Sequence, residues 1–119
     1  MHTHQALEGR VQVLKPVGHI LGGPETDEFV NTARELAEKG NTALLVDLAD
    51  VEYMNSLGLG ALTRVLITFS RVNGAVKVCC LTPRVRRLFD IVKFYHLFEY
   101  YDSERAGVDA FSKETTHPV

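Results

Sequence analysis

The stretch Asp47-Leu48-Ala49-Asp50-Val51-Glu52-Tyr53-Met54-Asn55-Ser56-Leu57-Gly58-Leu59-Gly60-Ala61-Leu62 decides how this chain is read. Just before it, Ala43-Leu44-Leu45-Val46 is an unbroken apolar run, as a strand covered on both faces requires. Just after it, Leu62, Val65, Leu66, Phe69 and Val72 recur at helical spacing and define one buried helix face. Between the two lie a short acidic loop and Asn55-Ser56, two residues that cap helix N-termini well. A hydroxyl at such a terminus stands beside free backbone N–H groups, where a phosphate can be accommodated.

Outward from this centre, strand and helix signals alternate. Residues 1 to 5 are expected to be loose. Leu7 to Leu14 alternates Val11 and Val13 with Arg10 and Gln12, the pattern of a half-exposed strand that Pro16 ends. Val17 to Leu21 forms a second short strand. Gly22-Gly23 breaks the chain, and Pro24 opens a helix whose first turn carries Glu25, Asp27 and Glu28 and whose stripe is Phe29, Ala33, Leu36 and Ala37. Gly40-Asn41 stops it. After the central strand and helix, Asn73-Gly74 turns into a strand over Val76–Leu81. Thr82-Pro83 starts a third helix with Val85, Leu88, Phe89 and Val92 inward. Leu97 to Tyr101 reads as a last strand. Asp102-Ser103-Glu104 opens a final helix that Gly107 weakens, and a polar, mobile tail is expected from Lys113. Alternating strands and helices imply an α/β fold: a mixed, largely parallel central sheet of about five strands with about four helices.

The chain resembles the STAS domains, and within them the anti-sigma factor antagonists. In that family a strand ends in Asp-Leu, a short loop follows, and an Asp-Ser-(Ser/Thr/Ala)-Gly-Leu turn opens a helix. Here Asp47-Leu48 matches the strand end, Ser56 falls on the residue phosphorylated in the family, and Gly58-Leu59-Gly60 continues the helix start. Asn55 replaces the usual Asp, keeping the capping geometry without the charge, and Leu57 replaces a small residue. The resemblance covers nearly the whole chain. It implies a single STAS domain over 1–119, with a central sheet, an antiparallel edge contribution and helices packed on it. It also implies a protein-binding switch that holds an anti-sigma factor serine kinase and so frees a sigma factor. A phosphatase resets it. Ser56 is the expected phosphoacceptor, and Gly22, Gly23, Asn55, Leu57, Gly58, Arg64 and Ile67 are the expected partner-binding residues beside it. The other reading is a constitutive adaptor, as in a stressosome or a lipid-transport complex, with Ser56 only capping the helix.

Composition sets outer limits. The chain has 119 residues, 45% apolar and 24% charged, with a formal charge of −2. These values fit one globular domain and give no footprint for a nucleic-acid partner. No apolar run approaches the roughly 20 residues of a membrane span, and no signal peptide is evident, so a cytoplasmic location is expected. Cys79 and Cys80 are expected as reduced strand residues facing opposite sides of a sheet. Asn-Ser-Leu-Gly lacks the Gly-x-Ser-x-Gly nucleophile elbow, and nothing in the spacing ties His19 or His96 to Ser56. Gly58-x-Gly60 is too short for a nucleotide fingerprint. No catalytic residue, cofactor or resident metal is therefore expected; His2-x-His4 sits on the loose terminus. Arg84, Arg86, Arg87 and Lys93 form a basic patch expected to be a solvated face, or a dock for an acidic partner.

Overall fold

A computed structural model describes residues 1–115, with side chains through Ser112. The tail expected at 113–119 lies outside the described side chains. Seven strands and four α-helices follow in the order β1 (His2–Ala6), β2 (Val11–Lys15), β3 (Gly18–Ile20), α1 (Pro24–Glu38), β4 (Ala43–Asp47), β5 (Val51–Met54), α2 (Ser56–Ser70), β6 (Ala75–Cys79), α3 (Pro83–Ile91), β7 (Tyr100–Tyr101) and α4 (Glu104–Thr115). Five strands form the main sheet in the order β1-β2-β4-β6-β7. The pairs β2–β4, β4–β6 and β6–β7 are parallel, and β1 is antiparallel to β2. This is the expected mixed, largely parallel sheet with four helices. The antiparallel edge comes from His2–Ala6, which corrects the loose start expected over 1–5. Only Thr3 and Gln5 alternate with the two histidines there, so no apolar signal announces the strand; its backbone bonds to β2 hold it.

A second departure matters more for function. The acidic loop expected after Leu48 is only Leu48–Asp50; Val51–Met54 is a strand, paired in parallel with β3. Val51 is fully buried while Glu52 and Tyr53 face outward, so an edge strand with a single buried anchor escapes periodicity. This two-stranded ribbon carries the start of α2.

The sheet has a core on each face. Leu44 and Val46 of β4 and Val76 and Val78 of β6 pack with Phe29, Leu62, Phe69 and Phe89 of α1 to α3. The intervening Leu45 and Cys79 join Val11, Val13 and Phe111 under α4. Both faces of β2 are thus buried, which corrects its half-exposed reading. Gly107, expected to weaken α4, instead lets it approach the sheet: a Cβ there would lie 2.6 Å from Leu45 Cδ1. Helix ends run shorter than periodicity suggests. α2 stops at Ser70, leaving Val72 exposed, and α3 stops at Ile91, leaving Val92 exposed. The expected strand over Leu97–Tyr101 shrinks to Tyr100–Tyr101. Before it, Lys93 in a left-handed conformation starts a 3₁₀ turn that sends Phe94 and Phe98 into the core.

The two cysteines do not face opposite sides. Cys79 ends β6, and Cys80 takes φ of 62°, outside strand geometry. That break turns its side chain toward its neighbour, and the sulfurs lie 3.4 Å apart.

Candidate functional site: the helix start at Ser56

The site is built where β5 hands the chain to α2. Asn55, in extended backbone, caps the helix: its Oδ1 accepts the Gly58 N–H at 3.1 Å. Its Nδ2 donates to the Leu21 carbonyl at 3.1 Å, tying the helix start to the β3–α1 loop. That loop is held in turn, because the Gly22 N–H donates to Thr26 Oγ1 at 2.8 Å. Asn55→Ala is expected to remove both Asn55 bonds and to cost about 0.5–2 kcal/mol, read from the denaturant midpoint.

Ser56 is therefore the first residue inside the helix, not its cap. Its side chain is exposed, and no hydrogen bond to its hydroxyl is found among the described residues. The first turn of α2 has no acidic residue, so the positive end of the helix dipole is not offset by its own side chains. A capping role for Ser56 is thereby replaced by one for Asn55.

Around Ser56, α1 and α2 leave a shallow groove lined by Gly22, Gly23, Asp27, Leu57, Gly60 and Arg64. Leu57 is 63% exposed and presses on the loop: a Cβ on Gly22 would sit 2.8 Å from Leu57 Cδ1. Gly22 has φ of 96°, so both backbone and space require glycine. Ile67, 45% exposed, lies further along α2 in an adjoining groove that shares Arg64. Four of the expected positions, Gly22, Gly23, Leu57 and Arg64, thus line one groove with Ser56; Ile67 lies in the adjoining one, Asn55 holds the helix start, and Gly58 faces away. It is buried, and a Cβ there would collide with the Ile20 carbonyl oxygen and meet Met54 Cγ at 2.6 Å. Its part is to let α2 lie against the β3–β5 ribbon.

Sequence reading missed several supports of this surface. Tyr53, 42% exposed, stacks under Arg84, whose guanidinium carbon is 4.4 Å from the ring centre, and beside His19 at 5.1 Å. Part of the basic patch thus belongs to this end of the molecule, whereas Arg86 pairs with Asp102 at 3.0 Å. Behind the loop, the buried Asp47 accepts the Ala49 N–H at 2.9 Å and faces Lys15 at 4.0 Å; Lys15 also reaches Asp50 at 3.6 Å. Asp47, with Asp50 after it, holds the Lys15 ammonium above its ordinary pKa.

The STAS domain family model matches residues 8–107. The chain belongs to the STAS domain family. This STAS domain is 32% identical over 74 residues to a Bordetella bronchiseptica protein named "putative anti-sigma factor antagonist BtrV", a match spanning 62% of this chain and 64% of that one. It is 31% identical over 77 residues to the "putative anti-sigma factor antagonist TM1081 homolog" of Thermotoga neapolitana, spanning 65% of this chain and 62% of the relative. The matches thus span just under two thirds of the relatives' lengths. By fold, it is similar to an anti-sigma factor antagonist from Mycobacterium paratuberculosis, with TM-score 0.75, 21% identity and 92% of each chain covered. A sulfate transporter family protein from Wolinella succinogenes shares the fold equally, with TM-score 0.75, 13% identity, and 95% and 93% covered. Among the described residues, no helix of this STAS domain is long and apolar enough to cross a membrane.

Proposed function

We propose that this chain is an anti-sigma factor antagonist of the cytoplasm, a binding module and not an enzyme, switched by phosphorylation of Ser56. The observation that carries the reading is the exposed, unbonded Ser56 hydroxyl on a helix start capped by another residue. The names of the two curated relatives support the same reading. In the unmodified state the surface of Leu57, Arg64 and Ile67, with Gly22, Gly23 and Asn55 at its rim, docks an anti-sigma factor that is also a serine kinase. The sigma factor that kinase was holding is released. Transfer of a phosphoryl group from ATP to Ser56 then ends the complex, and a phosphatase restores the hydroxyl.

The physical logic lies in where the charge arrives. A phosphoserine carries about −1.5 to −2 charge at pH 7. On the first residue of α2 it meets the positive dipole end, so the fold tolerates it. A partner lying over Ser56 would have to desolvate that charge beside the apolar Leu57, and docking fails. Mixing the chain with its cognate anti-sigma factor and the sigma factor, without ATP, should displace the sigma factor in a size-exclusion assay. An anti-sigma factor that keeps its sigma factor at excess antagonist would oppose the proposal.

The fold shared with the transporter protein is compatible with a constitutive adaptor but does not favour it. The adaptor reading gave Ser56 a capping role, which Asn55 fills instead.

A further inference from the structure

On the opposite face of the sheet from α2, the register sets Asp47 beside Cys79, since the two are paired across β4 and β6. Both side chains point toward α4, and both are almost fully buried. The left-handed turn at Cys80 adds its thiol to the pair. One ligand atom from each of Asp47, Cys79 and Cys80 lies within 4.8 Å of the others.

We propose that Asp47, Cys79 and Cys80 form a binding site for a thiophilic divalent cation of the zinc type, Zn²⁺ or Cd²⁺. Two thiolates and a carboxylate are a donor set suited to such ions and poorly suited to Mg²⁺ or Ca²⁺. The spacing agrees. Two sulfurs at about 2.3 Å from one tetrahedral ion stand roughly 3.8 Å apart. The sulfurs here are 3.4 Å apart, so a few tenths of an ångström suffice. A disulfide would need them at about 2.05 Å, a much larger shift for neighbouring residues.

Charge and access also fit. The cation forms two S–metal bonds as two S–H bonds break, and both protons leave to solvent; no electron is transferred. The ion, two thiolates and one carboxylate leave the site at −1, and the Lys15 ammonium 4.0 Å from Asp47 offsets it. Because both thiols must lose their protons, binding should tighten as pH rises. Cys80 is only half-buried and gives the route of entry. Glu104 borders the cluster at the start of α4. It pairs with His4 Nε2 at 2.9 Å. Binding would thus reach the strand that leads to the Ser56 loop and the helix that covers the sheet.

The test is a Cd²⁺ titration of the full chain kept reduced with a phosphine. The thiolate-to-Cd²⁺ charge-transfer band should rise linearly and stop at one ion per chain. Cys80→Ser should abolish the band; because that half-buried side chain packs against the core under α4, its metal-free melting curve is recorded to show that the variant still folds. Asp47→Asn should weaken binding about tenfold or more, the scale of losing even an outer partner of a metal ligand. A variant with His2→Ala and His4→Ala should keep the band, which separates this site from the His-x-His pair. The proposal is overturned by the absence of a band, by a band that survives Cys80→Ser, or by an end point of one ion per two chains.

Discussion

A Ser56→Asp variant should bind the proposed anti-sigma partner about a hundredfold more weakly while melting with the parent chain, a loss worth about 3 kcal/mol. The two halves of that expectation have separate causes. Stability holds because the position is exposed and makes no bond that the change removes. A carboxylate in the first turn also gains from the helix dipole by about 0.3–1 kcal/mol. Binding falls because the charge sits beside Leu57, the most exposed apolar side chain of the groove, where a docked partner must exclude water. Ser56→Ala supplies the contrast: it removes the acceptor without adding charge, so it should bind as the parent does. Equal affinities for all three proteins would favour the constitutive adaptor.

Gly58→Ala should be the most damaging small change at this end of the molecule. The added methyl meets the Ile20 carbonyl and Met54 Cγ, and the carbonyl is backbone within β3 that cannot swing aside. Relief comes only by lifting α2 from the ribbon, which also strains the Asn55 clamp on Leu21. The cost should be about 1–3 kcal/mol, the usual range for overpacking, measured as a lowered denaturant midpoint. Gly60 is the internal control. A Cβ there meets nothing within 4 Å, so Gly60→Ala should be neutral or gain up to about 1 kcal/mol of helix propensity. If Gly58→Ala proves as stable as Gly60→Ala, the close approach is not what the helix start depends on.

The contrast between these glycines shows what the sequence could and could not reveal. The pattern Gly58-x-Gly60 does not say which of its glycines meets backbone. The main sheet was legible because Ala43–Val46 is apolar on both faces and Val76–Leu81 is apolar but for Lys77, and the helices because their stripes repeat. Strands β1 and β5 were not legible: one has no apolar alternation and the other a single buried anchor. β1 is fixed by its hairpin partner Val11–Lys15, and β5 by a partner distant in sequence, Gly18–Ile20. The family pattern put Ser56 at a helix start, and that is where it lies. What the pattern could not supply was the division of labour, with Asn55 capping and clamping while Ser56 stays free. The thiol pair was misread for a local reason. Strand alternation places neighbours on opposite faces, and one left-handed residue at Cys80 cancels it.

Whether Ser56 carries a reversible charge can be read by mapping phosphate on the chain. The chain is incubated with its cognate kinase and ATP, digested, and read by mass spectrometry. A single added phosphate is expected on Ser56, absent from Ser56→Ala and removed by a serine phosphatase. A phosphate on any other residue, or none when the kinase is active on another substrate, would contradict it.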